Sequence, residues 1–374
     1  MAMNKSDRDW QSSVDYDVFG PAADDYIGSL QDILFNERHK QPAFKYVIII
    51  LNSLIIIFGI LGNLLVIFAI LRSKKMRSTT YIFIGNLAVS DVTVCLLCLP
   101  FTLAASFQDS WNFGGFMCNF VPSVQILSVC VSTLTLTLIA VDRYYVVVRP
   151  LKARLSLRAS LALIIAIWLV SACLASPIGF FSEIEIISIP RLFQVVKCSE
   201  QWRSTNEKGL YDIVMFLLQC VLPLLIIGIS YARILLHMNR RVVPGVRTQN
   251  QQATDTRKKM KTTKMLVAVI VSFAVGWLPI NIWILVSDFK FALVDNENMS
   301  LFYHIFHAIA MTTTCVNPFF YGLMNDAFRE EYAGVFNSLA VCRRSRIARH
   351  SSPQHISGSI NRTTQSENRT QSEV

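Results

Sequence analysis

Residues 47–71, VIIILNSLIIIFGILGNLLVIFAIL, run for 25 positions without a charged side chain. An α-helix needs roughly 20 residues to cross the hydrocarbon of a bilayer, about 30 Å thick, so this stretch is long enough to span one. Six more follow: Tyr81 to Phe107, Cys118 to Val148, Ala159 to Phe181, Leu210 to Leu236, Met265 to Ser287 and Leu301 to Met324. A soluble domain seldom holds even one such run. The 53% hydrophobic and 16% charged composition of the 374 residues points the same way. The fold class expected is an all-α membrane protein, a seven-transmembrane helix bundle over residues 44–324.

Basic residues set the orientation. Arg72, Lys74, Lys75 and Arg77 follow the first span, and Arg149, Lys152, Arg154 and Arg158 follow the third. Arg240, Arg241, Arg247, Arg257, Lys258, Lys259, Lys261 and Lys264 crowd the loop after the fifth. The positive-inside rule puts these loops and the carboxyl-terminal tail in the cytoplasm. The net charge of +10 is then a contact surface for anionic lipid and an intracellular partner, not a nucleic-acid footprint. Residues 1–43 are rich in Asp and Glu and are expected to be disordered and extracellular. They show no cleaved signal pattern, so the first span is expected to direct its own insertion. The Asn4 and Asn298 sequons then face outward as candidate glycosylation sites, whereas Asn361 and Asn368 face inward.

Most of the nine cysteines lie inside spans as small apolar packing residues. Cys118, opening the third span, and Cys198, in the loop after the fourth, both face the oxidising side and suit a disulfide. An amphipathic pattern from Asn325 to Phe336 suits a helix on the inner membrane surface. Cys342, with Arg343, Arg344 and Arg346 beside it, suits palmitoylation, so residues 325–342 form one region and 343–374 a disordered tail. In the tail, Ser351, Ser352, Ser357, Ser359, Thr363, Thr364 and Ser366 are candidate phosphorylation sites for arrestin recruitment. Ser372 and Val374 fit the ligand of a PDZ-domain protein, which adds a strand and captures a terminal carboxylate.

Asp91 is the one acid deep in a span apart from Asp142, and an ionisable group there needs partners. Asn63, Ser132, Thr313 and Asn317 are candidates. A carboxylate ringed by oxygens suits a sodium ion; a protonated or water-bridged structural acid is the alternative. Pro100, Pro177, Pro223, Pro279 and Pro318 each remove a helix hydrogen bond. Trp277 just before Pro279 puts a bulky ring at a kink. A push on that ring can swing the inner half of the sixth helix.

Asp142-Arg143-Tyr144 ends the third span and Asn317-Pro318-Phe319-Phe320-Tyr321 ends the seventh. With Gly62-Asn63, Leu87 to Asp91, Trp168, Pro223 with Tyr231, and Phe273 to Pro279, they occur in the order found in rhodopsin-like G-protein-coupled receptors, which this chain resembles across about 290 residues. The resemblance implies that Asp142, Arg143, Tyr144, Tyr231, Trp277, Pro279, Asn317, Pro318 and Tyr321 form an activation switch. It implies a heterotrimeric G protein of the inhibitory type as partner, at the plasma membrane, and no enzymatic activity.

Within that family the chain is most similar to the neuropeptide Y and neuropeptide F receptors, through Val131 to Thr137, Leu174 to Pro177, Lys261 to Val267 and Phe306 to Met311. This resemblance implies an extracellular neuropeptide ending in an arginine-aromatic amide, read by Thr102, Gln125, Gln219 and His307. Asp288 matches the acid that meets a ligand arginine. Gln125 stands where amine receptors carry aspartate, and the seventh span holds no lysine for a retinal Schiff base. Receptors for RFamide or tachykinin peptides are the nearer alternative and a transporter the remoter one. The chain departs from the family in Lys259, where many members carry an acid that holds Arg143, and in Gly276, where cysteine is frequent. Restraint of Arg143 is then expected from Asp142 and Thr263.

Overall fold

The structure, a computed structural model, describes residues 42–108, 110–149, 155–189, 193–239, 249–289 and 296–350. Asn4 and the tail sites from Ser351 to Val374 lie outside the described residues, and so do the side chains of Lys259, Asn298 and Cys342. The first span is Pro42–Arg72. A 3₁₀ turn, Lys74–Met76, leads to the second, Thr79–Leu97, which resumes as Leu99–Gln108. The third is Gly114–Val148 and the fourth Leu157–Phe181. The fifth comprises Thr205–Phe216, a π turn over Leu217–Val221, and Leu222–Asn239. The sixth is Gln249–Asp288 and the seventh Asn296–Met324. The first packs on the second and seventh, the sixth on the seventh, and the third on the second, fourth and fifth, so the third span is the axis of the bundle.

Six of these helices are long and apolar enough to cross a membrane. The seventh, 29 residues long, is interrupted by polar groups, and the structure shows why they are tolerated. His307, Thr313, Thr314 and Asn317 are all buried against other spans. Outward, the first span exposes Ile50, Leu54, Phe58, Leu61 and Phe68, an apolar face that hydrocarbon satisfies and water would not. The helices run a few residues beyond the apolar stretches at several ends, because backbone hydrogen bonding continues past the last lipid-facing side chain.

Proline accounts for the irregularities. The second span breaks at Cys98, two residues before Pro100, since a proline ring disfavours helical geometry just before it and cannot donate its own hydrogen bond. In the fifth, Pro223 cannot bond back to Gln219, and the preceding backbone widens so that Leu222 N–H donates to Leu217 O. Between spans, polar side chains act as clamps. Trp168 Nε1 donates to Asn86 Oδ1 at 2.9 Å and Asn86 Nδ2 donates to Thr135 Oγ1 at 2.8 Å, tying the fourth, second and third spans. Each such bond in a membrane contributes about 0.6 kcal/mol, rarely above about 1.7.

After the fourth span the chain forms an antiparallel hairpin, β1 (Ser182–Ile189) and β2 (Phe193–Glu200), with Ile184 opposite Cys198. Cys198 is bonded to Cys118, 80 residues earlier, and Trp111 N–H donates to Val196 O at 2.7 Å. These two links hold the hairpin at one end of the bundle. A last helix, Asp326–His350, opens with Asn325 Oδ1 accepting from Ala327 N–H at 3.0 Å, an amino-terminal cap. It passes Phe336 and continues through residues 343–350, beyond where the sequence reading ends the amphipathic region, because Ala340, Arg343, Arg344, Arg346 and Ala348 favour helix. Of the described residues, those up to Arg329 belong to one compact unit and those from Glu330 to a second.

Candidate functional site

At the disulfide end, the spacing of the third and seventh spans sets Gln125 Nε2 3.2 Å from His307 Nε2. With the carboxamide nitrogen donating, His307 Nε2 accepts, and the ring proton sits on Nδ1. Tyr303, one turn earlier, stacks on the His307 ring at 5.8 Å between centroids. Trp283 of the sixth span leans on Phe302 and Phe306 of the seventh, at 5.3 and 5.8 Å. The other two polar residues expected here point elsewhere. Thr102 Oγ1 donates to its own helix at Cys98 O, 3.1 Å away. Gln219, buried in the π turn, donates from Nε2 to Cys130 Sγ at 2.9 Å, which braces the fifth span against the third.

Asp288 closes the sixth span at the same end, and its Oδ1 is paired with the Lys208 ammonium of the fifth. Lys208 Nζ lies 3.5 Å from Asp212 Oδ2, one turn along its own helix. The Asp288 side chain is only 8% exposed, and its Oδ2 finds no hydrogen-bond partner among the described residues. Gly209 lets this happen. A Cβ there would sit 3.1 Å from the Phe289 ring, so the glycine allows the disulfide end of the sixth span to close on the fifth.

Midway down, Trp277 Nε1 donates to Thr313 Oγ1 at 3.3 Å, and Asn281 Nδ2 satisfies the Trp277 carbonyl at 2.7 Å. Gly276 is explained by the same contact. A Cβ at 276 would lie 2.3 Å from Thr313 Cγ2, so the sixth and seventh spans approach closely only because the usual cysteine is missing. Below, Asn317 Nδ2 donates to Asp91 Oδ2 at 2.9 Å. Ser132 Oγ is 2.6 Å from Ser90 Oγ, and Ser90 also donates to Ser128 O at 3.0 Å. Asp91 is 5% exposed, and Asn317 is its one hydrogen-bond partner among the described residues.

At the far end, Arg143 Nη2 donates to Asp142 Oδ2 at 2.8 Å and also bonds Thr80 Oγ1 of the second span. Thr80 in turn donates to Asp142 Oδ2 at 3.0 Å, closing a triangle. Tyr231 is buried near this arginine, with no hydrogen-bond partner for its hydroxyl among the described residues. Tyr321, 1% exposed, stacks on Phe328 at 5.3 Å, while Tyr144 rests edge-on against Tyr145. Lys261 of the sixth span pairs with Asp326 at 2.6 Å.

The structure thus brings together Gln125 with His307, Asp91 with Asn317, and Asp142 with Arg143. It adds Lys208, Asp212, Thr80, Thr313 and Asn281, which sequence reasoning did not assign to these contacts. Lys208 and Asp212 had a signal: opposite charges four apart at the mouth of an apolar run. Thr80 had none, because a threonine at a helix start reads as an ordinary terminus.

A helix bundle with a cluster of polar and charged side chains at one end, a hydrogen-bonded tryptophan midway and an arginine tied to Asp142 and Thr80 at the other is the arrangement to be compared with known proteins. Residues 62–321 match the 7 transmembrane receptor (rhodopsin family), and the chain belongs to that family. It is similar to the neuropeptide Y receptor type 2 of Bos taurus, 39% identical over 327 residues covering 86% of this chain and 84% of the relative. The Homo sapiens protein of that name is 40% identical over 296 residues, covering 78% and 76%. The Gallus gallus protein is 42% identical over 285 residues, covering 75% and 73%.

Proposed function

We propose that the chain is a plasma-membrane receptor for a neuropeptide Y-type peptide ending in an arginine-aromatic amide, with its amino terminus outside and its tail in the cytoplasm. The observation that carries this reading is the unpaired Oδ2 of the buried Asp288, at the same end as the Gln125 and His307 pair. A ligand guanidinium satisfies the acid. An amide or phenol exchanges hydrogen bonds with the pair, and Trp283, Phe302 and Phe306 offer apolar area. Thr102 and Gln219 remain in the reading as further ligand contacts.

The peptide works by population shift, binding one bundle packing more tightly than the other. Leverage on the Trp277 and Thr313 contact beside Pro279 moves the inner half of the sixth span. Arg143 then leaves Thr80 and Asp142, Tyr231 and Tyr321 turn towards it, and the carboxyl-terminal helix of an inhibitory-type G protein enters the opening. Asp91, Ser132 and Asn317 fit a sodium ion in the resting packing. The donor set is hard oxygen, and a buried carboxylate with one amide partner needs a cation or a proton. Arrestin and a PDZ-domain protein are the further partners that the tail suits.

The experiment is nucleotide exchange in membranes of cells expressing the chain, challenged with amidated peptides of the neuropeptide Y, RFamide and tachykinin types. Nanomolar responses to the first type alone support the assignment. Responses to either of the others in its place overturn it.

A further inference from the structure

Two carboxylates and one ammonium meet where the fifth and sixth spans close. Lys208 is bonded to Asp288 Oδ1 and lies 3.5 Å from Asp212 Oδ2. Neither Asp212 Oδ2 nor Asp288 Oδ2 has a hydrogen-bond partner among the described residues, and the side chains are 15% and 8% exposed. Glu200, held by Trp202 Nε1 at 2.8 Å, adds to the negative field at Lys208. The two acids thus compete for one ammonium and press on each other, with one oxygen of each left over.

We propose that Lys208 is an internal stand-in for the ligand's cation, covering Asp288 in the unliganded receptor and moving to Asp212 when a peptide guanidinium docks. Asp212 is then a specificity-determining residue that never has to touch the ligand. The inference rests on the reading above, in which Asp288 receives a ligand cation.

Side-chain chemistry gives the exchange its direction. An ammonium is a point charge that satisfies one oxygen of Asp288, whereas a guanidinium presents a planar fork that engages both. Arginine thus outcompetes Lys208 at Asp288. Because Asp212 lies four residues along the same helix, Lys208 reaches it by turning its own side chain, with no helix movement. Without Asp212, the displaced ammonium has no carboxylate one turn along its own helix to meet, and displacing it costs more.

The test uses the full-length receptor in cell membranes. The probes are an amidated peptide ending in arginine-tyrosine and the same peptide with neutral citrulline in place of that arginine. Surface antibody binding normalises for expression. Lys208→Met should tighten the arginine peptide about tenfold and leave the citrulline peptide unchanged. Asp212→Asn should weaken the arginine peptide about tenfold, and adding Lys208→Met in that background should restore it. A scaffolding role for Asp212 would give no such rescue, so an unrescued loss overturns the proposal, as does an Asp212→Asn variant with unchanged affinity. If Asp288→Ala itself leaves the arginine peptide unaffected, the parent reading of Asp288 fails instead. The two failures are thereby distinguished.

Discussion

Thr313 accepts the Trp277 indole N–H on Oγ1 while its Cγ2 fills the space that a side chain at position 276 would need. One residue thus both tethers the Trp277 indole and sets how closely the sixth span approaches the seventh. Gly276→Cys should force the two spans apart, with an overpacking cost of about 1 to 3 kcal/mol. The measurement is thermal unfolding of purified receptor. Adding Thr313→Ser, which removes Cγ2 and keeps Oγ1, should recover most of the loss; no recovery would place the clash elsewhere.

Gln125 and His307 share one hydrogen bond, so their substitutions should not add. Gln125→Ala and His307→Ala should each lower peptide potency about 3- to 10-fold, the effect of a neutral hydrogen bond of about 0.5 to 1.5 kcal/mol. The double variant should lose little more than either alone if the pair acts as a unit. Fully additive losses in a nucleotide-exchange assay would mean that each meets the ligand separately.

Thr80 holds both Arg143 and Asp142. A hydrogen bond to a charged group contributes about 1.5 kcal/mol or more, so Thr80→Val should raise agonist-free exchange about tenfold. Arg143→Ala should abolish exchange with peptide affinity nearly intact, because the change lies at the opposite end of the bundle. Full signalling by the arginine variant would remove it from the switch.

Asp91→Asn keeps the bond geometry with Asn317 while removing the charge. Raising sodium from about 10 to 150 mM should lower agonist affinity in the parent and leave the variant almost unaffected. Equal sodium responses in radioligand competition would leave Asp91 a structural acid.

The Lys261 and Asp326 pair is half-exposed at both members, 39% and 49%. Exposed pairs contribute about 0 to 1 kcal/mol. Lys261→Ala should therefore change basal exchange by less than about fivefold, which makes it a minor substitute for the restraint that an acid at position 259 would supply.

The spans and the disulfide were legible in the sequence because apolar length and the placement of Cys118 and Cys198 depend on few variables. The ordered motifs located Arg143, Trp277 and Asn317. What stayed hidden were contacts fixed by helix rotation and depth. Thr80 meets Asp142 only when the second and third spans settle at a particular height, and Lys208 meets Asp288 only because Gly209 admits Phe289. The π turn was half legible: Pro223 marks an irregularity, but no residue from Leu217 to Val221 shows that the backbone widens there.

That turn sets the phase of the fifth span. Relative to a continuous α-helix, one added residue rotates everything before it by about 100° about the axis. The two halves of the span thus obey different angular registers, and the Lys208 and Asp212 pair meets the sixth span in the outer one. Deleting Leu218 would restore a uniform helix and turn both charges about 100° away from the sixth span. A single-residue gap in an otherwise similar chain would therefore alter its ligand chemistry with every charged side chain still in the sequence.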